Sequence, residues 1–89
     1  MKSATTRGLW RFFDALPRDV QDTAVAAFER WRADPRHPSL HYKAVRGRSD
    51  VVSARIGEGW RALGRIENDT VHWFWIGSHA DYDRLLARR

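Results

Sequence analysis

Eighty-nine residues without a single cysteine leave room for one domain, residues 1–89, and exclude both a disulfide framework and a thiolate metal site. No run approaches the ~20 apolar residues of a membrane span, and Met1-Lys2-Ser3 leads into no apolar segment of signal-peptide length, so the expectation is a cytoplasmic protein without a membrane partner. The formal net charge is +5, and of sixteen basic residues only Lys2 and Lys43 are lysine; arginine keeps its charge when partly buried and matches phosphate with a planar fork, which favours polyanions or acidic protein segments as partners.

The first half of the chain reads as helix. Leu9, Phe12, Phe13 and Leu16 recur at helical spacing, with Trp10 alongside. Pro17 cannot continue that helix but suits the first turn of another, where Asp19 and Asp22 would meet the positive end of the helix dipole. Val20, Ala24, Ala27, Phe28 and Trp31 then form one apolar stripe, and the second helix should stop near Asp34-Pro35. Residues 34–40 carry two prolines and no periodicity, which predicts a loop.

Beyond the loop the period changes to about two. Val51 to Ile56, Trp60 to Ile66 and Val71 to Ile76 read as strands. Gly57-Glu58-Gly59 and Glu67-Asn68-Asp69 between them have hairpin length and composition. His41 to Val45 is a candidate further strand ending at Gly47. Ser78 is placed as the N-cap of a last short helix with Tyr82, Leu85 and Leu86 on its apolar face and Arg88 and Arg89 at its C-terminal end. The expected fold is α+β: an N-terminal αα-hairpin packed on a three- or four-stranded antiparallel sheet with a short C-terminal helix. Helices would cover one sheet face and leave the other partly open. Phe12, Phe13, Leu16, Val20, Ala24, Phe28, Trp31, Ile66 and Ile76 are the expected core.

This order of elements resembles the RelE/ParE superfamily of toxins from toxin–antitoxin systems, and several words in the chain carry the likeness. Leu16-Pro17-Arg18-Asp19-Val20-Gln21 looks like the start of the family's second helix. Lys43-Ala44-Val45-Arg46-Gly47 looks like its lysine-to-glycine turn into the sheet. Arg55-Ile56-Gly57-Glu58-Gly59-Trp60-Arg61-Ala62-Leu63 is similar to the hairpin in which an aromatic–arginine pair opens a strand, and Trp75-Ile76-Gly77-Ser78-His79 to the exit from the last strand. The resemblance implies a RelE-like enzyme that cleaves mRNA on the ribosome without a metal or cofactor. The alternatives are a ParE-like inhibitor of DNA gyrase or an orphan domain that only binds a partner; the fold alone does not choose among them. It also implies a co-expressed antitoxin, which the charge expects to be acidic and amphipathic.

Metal-free RNA cleavage needs a base for the attacking 2′-hydroxyl, an acid for the leaving oxygen and cations for the charged phosphorane. By resemblance, Arg61 matches the hairpin arginine that contacts the scissile phosphate. His79 stands where many members place Arg or His, and an imidazole transfers protons near neutral pH. Tyr82 lies near the family's C-terminal tyrosine, a residue or more out of register. Lys43, Arg46, Arg48 and Arg55 are the candidate RNA-binding residues. Each also has a structural reading: Arg61 as a surface partner of Glu58 or Asp50, Tyr82 as packing, the other cations as solvated charges. The chain departs from the family where its strongest nucleases carry two lysines in the strand before the arginine hairpin. An ungapped match puts Val52 and Ala54 there, and Arg55 substitutes only if the strand shifts by one residue, which changes the face. His37, His41 and Asp34 have no metal-ligand spacing, so no metal site is expected. Trp73 and Trp75 are expected on one strand face, and Gly77 in the turn to the helix.

Overall fold

A computed structural model describes residues 2–87. The role expected for Arg88 and Arg89 at the end of the last helix lies outside those residues. The described chain runs β1 (Lys2–Thr5), α1 (Arg7–Asp14), α2 (Arg18–Ala33), a 3₁₀ turn (Pro38–Leu40), β2 (Lys43–Val45), β3 (Arg48–Arg55), β4 (Trp60–Glu67), β5 (Thr70–Ser78) and α3 (His79–Ala87). The α+β layout is the expected one. The sheet, in order β1-β5-β4-β3-β2, has one strand more than expected: β1 lies parallel to β5 at an edge.

Local chemistry accounts for the helix ends. Thr6 caps α1 by accepting a hydrogen bond from the Leu9 amide, and its own hydroxyl donates to the Trp73 carbonyl. Pro17 opens α2 without a side-chain cap; Gln21 Nε2 reaches back to the Phe13 carbonyl at 3.0 Å and ties the two helices together. Ser78 caps α3, with the Asp81 amide donating to its hydroxyl.

Helices α1 and α2 bury one face of the sheet. Leu9, Leu16, Val20, Ala24, Ala27 and Trp31 meet Val52, Ala54, Ile56, Ala62, Val71, Trp73 and Ile76, with Phe13, Phe28 and Ile66 half-buried against them. Phe12 does not belong to this core, contrary to expectation. It is 39% exposed and leans toward Trp75. Helix α1 rests on β5, so its Leu9–Phe13 stripe faces the sheet and Phe12 turns toward α3, lining a cleft of about 320 Å³ with Trp75 and Leu85. The opposite sheet face, expected to be partly open, is covered over its middle by α3: Tyr82 and Leu86 pack on Val45, Val51, Leu63 and Trp75.

A bulge in β5 decides what each face carries. Leu63 pairs with Trp75, but the next residue, Gly64, pairs with Trp73, so Phe74 is an extra residue. The two tryptophans therefore lie on opposite faces, not on one: Trp73 in the helix-side core and Trp75 under Tyr82.

The β3–β4 turn also sets the position of α3, because the His79 amide donates to the Gly59 carbonyl at 2.7 Å. Gly57 has φ +57 and Gly59 φ +81, and a Cβ at Gly57 would stand 2.8 Å from Thr23 Cγ2, whereas one at Gly59 would meet nothing. Gly57→Ala is expected to lower stability by about 2 kcal/mol and Gly59→Ala by about 1 kcal/mol, since only the first adds a clash to the left-handed strain. Urea denaturation of both variants checks this; equal losses would mean that Thr23 gives way without cost.

Candidate functional site

The site is assembled from the β3–β4 hairpin and the first turns of α3. β3 and β4 pair Ser53 with Leu63 and Arg55 with Arg61. Alternation along the strands places Ser53, Arg55 and Arg61 on the face turned away from α1 and α2. Lys43 of β2 lies opposite Ser53, which puts it on the same face. Val52 and Ala54, the positions of the missing lysines, point the other way into the helix-side core. Cationic groups reach this face from β2 and from the end of β3 instead.

Arg61 is the centre. It is 6% exposed, its Nη2 donates to Ser53 Oγ at 2.8 Å, and its guanidinium carbon lies 5.2 Å from the Tyr82 ring centroid. Its Nε–H is buried with no acceptor among the described residues. Among the described residues no carboxylate pairs with it; Asp50 pairs with Arg65 instead, at 3.7 Å. Burying a guanidinium without a counter-ion costs several kcal/mol unless an anion supplies the missing partner. An oxyanion drawn to the guanidinium would neutralise the charge, and because Nε is closed to solvent it would have to displace packing around Tyr82 to take that N–H.

Tyr82 packs against three groups at once: Arg61, Trp75 at 6.4 Å between centroids, and His79 at 5.9 Å. The His79 ring is exposed, and its Nε2 lies 3.4 Å from Asp83 Oδ2 one helical turn on. The Ser78 cap and the Gly59 contact fix the start of α3, so the imidazole, the phenol ring and the guanidinium form one continuous stack. Arg55 is half-buried beside Arg61, and its Nε donates to the Gly57 carbonyl at 3.2 Å.

The fold thus places Arg61, Arg55 and Lys43 on the sheet face that carries Ser53, with Tyr82 and then His79 packed in series from Arg61. It does not bring Arg46 or Arg48 there. Both are exposed at the β2–β3 turn, and Arg48 lies seven positions before Arg55 along β3, ~23 Å. His37 is occupied locally: its Nδ1 accepts from the Ser39 amide and lies 2.8 Å from the Ser39 hydroxyl. Among the described residues no group of three His, Asp or Glu side chains is placed to hold a metal ion.

Two residues of the site escaped sequence reasoning. Ser53, wholly buried, is the hydrogen-bond partner that orients Arg61; its only signal is a hydroxyl inside the apolar run Val51 to Ala54. Gly77 is not a turn residue. It lies inside β5, where a Cβ would sit 2.7 Å from Trp75 Cζ2. Its missing side chain admits the indole on which Tyr82 rests.

A family model described as a ParE-like toxin domain matches residues 18–84. No curated protein sequence matches the chain. Among solved structures, the fold is similar to a chain of the RelB–RelE antitoxin–toxin complex from Methanococcus jannaschii, with a TM-score of 0.72 at 13% identity over 91% of this chain and 96% of that one. It is also similar to a chain of the toxin–antitoxin complex RelBE2 from Mycobacterium tuberculosis, with a TM-score of 0.69 at 24% identity over 88% and 96%. The isolated RelE toxin of E. coli has a TM-score of 0.66 at 14% identity over 98% and 96%.

Proposed function

The chain belongs to the ParE-like toxin domain family, within the RelE/ParE superfamily, and on that premise we propose that it is the toxin of a toxin–antitoxin pair whose activity is metal-independent cleavage of mRNA on the ribosome. The observation that carries the nuclease reading is the buried Arg61, held by Ser53 and stacked on Tyr82, with an unpaired Nε–H and no carboxylate among the described residues. A cation held in that state fits a site for a phosphate that gains negative charge during reaction.

The geometry supports the following roles. Arg61 stabilises the charged phosphorane. His79, exposed at the end of the stack, transfers a proton to or from an RNA oxygen. Tyr82 holds the other two in register and offers its ring edge to the substrate. Lys43 and Arg55 bind flanking phosphates, while Arg46 and Arg48 meet the RNA backbone farther along. The partner is an acidic antitoxin segment: the relatives from Methanococcus jannaschii and Mycobacterium tuberculosis are described in complex with antitoxins, and the +5 charge favours an acidic one.

The absence of lysine from the Arg61 face of β3 favours a second reading, a gyrase inhibitor without catalysis. Mapping mRNA 5′ ends after expression in cells separates the two. New ends at a fixed codon phase are expected. DNA damage without new ends would replace the nuclease with the gyrase reading, and unimpaired growth would leave only a partner-binding domain.

A further inference from the structure

Beyond α3, on the same face as Arg61, the sheet has a second recess that the reaction above does not use. It is a cleft of about 420 Å³ lined by Thr6, Arg65, Glu67, His72 and Phe74. Strand register builds it: Arg65 pairs with His72, and Glu67 with Thr70 across the tight turn at Asn68 and Asp69. Phe74, two residues on from His72 and half-buried, lies on the same face. His72 is half-buried beside it. Arg65 is largely exposed, and its pairing with Asp50 at 3.7 Å is loose. Among the described residues no cation pairs with Glu67, and no hydrogen bond engages the His72 ring.

We propose that this recess binds an unstacked guanine of a single-stranded RNA, an inference that rests on the reading of the protein as an RNA-cleaving toxin and adds a base-recognition site to it. Three complementarities support it. Phe74 and His72, both half-buried in the lining, supply the aromatic rings that base stacking requires. Arg65 offers a guanidinium to the adjoining phosphate, at the end of the sheet where Arg48 is also exposed. Glu67 selects the base. A carboxylate only accepts hydrogen bonds, and guanine alone among the four bases presents two adjacent donors, N1–H and the N2 amino group, on its Watson–Crick edge. Adenine, cytosine and uracil each put an acceptor against one carboxylate oxygen. A carboxylate on a surface meant for RNA repels phosphate, so its presence inside the recess suits base readout and not backbone binding. Arg65 lies four positions along β4 from Arg61, ~13 Å, with α3 packed over Leu63 between them, so the guanine lies farther along the RNA strand than the cleaved dinucleotide.

The test has a binding arm and a cleavage arm. Fluorescein-labelled RNA hexamers that differ at one base, guanine, inosine or adenine, are titrated with the purified protein and followed by anisotropy. The guanine hexamer is expected to bind about tenfold more tightly than the inosine one, which lacks the N2 amino group, and more tightly still than the adenine one. Glu67→Gln should erase the difference, while Arg36→Ala, in the loop after α2, should keep it. Equal affinity of the wild-type protein for all three hexamers overturns the proposal, as does a guanine preference that survives in Glu67→Gln. In the cleavage arm, the wild-type cut sites should carry guanine at a fixed position beyond the cleaved dinucleotide and those of Glu67→Gln should not. A guanine preference in binding without any cleavage would remove the nuclease reading and leave the guanine site standing. Cleavage with no such guanine preference would do the reverse.

Discussion

Replacing Arg61 with alanine is expected to slow cleavage of a defined message on programmed ribosomes by about 100-fold or more, the usual cost of removing one preorganised charge from a transition-state site. The geometry makes the effect specific. The guanidinium is held by Ser53 and packed on Tyr82, with its Nε–H unpaired, so its orientation is set before the phosphorane forms. Arg61→Lys keeps the charge but loses the fork and the bond to Ser53 in its present geometry, and should recover only part of the rate. His79→Ala removes a proton-transfer group and should also cost on the order of 100-fold, yet it leaves Arg61 and its contacts in place. The two losses therefore separate by substrate: binding of uncleavable RNA should weaken in Arg61→Ala and hardly change in His79→Ala. Arg36→Ala is the control, with at most a small general charge effect. Because Arg61 is buried, circular dichroism of each variant must accompany the assay. Folded Arg61→Ala and His79→Ala proteins that both cut at the wild-type rate would show that the active site lies elsewhere.

The largest loss of stability is expected at Trp73. Its side chain is wholly buried, meets Trp31 edge-on at 5.5 Å and Phe28 at 5.3 Å, and donates from Nε1 to Ser3 Oγ at 3.1 Å. Its ring also lies over Gly64, where an added Cβ would come within 3.0 Å. Trp73→Ala removes these contacts and leaves a cavity between α2 and the sheet, at a cost of about 3–5 kcal/mol. Total stability of a domain is about 5–15 kcal/mol, so the variant should be at least partly unfolded at 37 °C. The loss of the Ser3 bond should also loosen β1. Trp10→Ala, at a residue 48% exposed, should cost far less. Urea denaturation followed by circular dichroism compares the two; similar losses would contradict the placement of Trp73 as the core residue joining helices, sheet and N-terminal strand.

Local pattern determined much of this protein. Pro17 broke the first helical stripe from the second, two glycine- or Asn-Asp-bearing turns bounded three alternating runs, and Ser78 marked the last helix; each signal lies within a few residues of what it specifies, so no partner had to be known. The same locality made the words around Arg61 and His79 legible as those of a toxin family. What the tertiary structure alone decided depends on residues far apart in the chain. β1 is four residues long and mostly polar, and it becomes a strand because β5, some seventy positions away, offers a free edge. The bulge at Phe74 comes from the pairing of β4 with β5, and it reverses the face of one tryptophan. The state of Arg61 is the clearest case. An arginine beside acidic residues in sequence reads equally as a surface ion pair, and only the register of β3 with β4, together with α3 anchored on Gly59, buries it against Ser53 and Tyr82 with its Nε–H unpaired. Burial, pairing and the missing counter-ion are properties of packing between elements, and no window along the chain contains them.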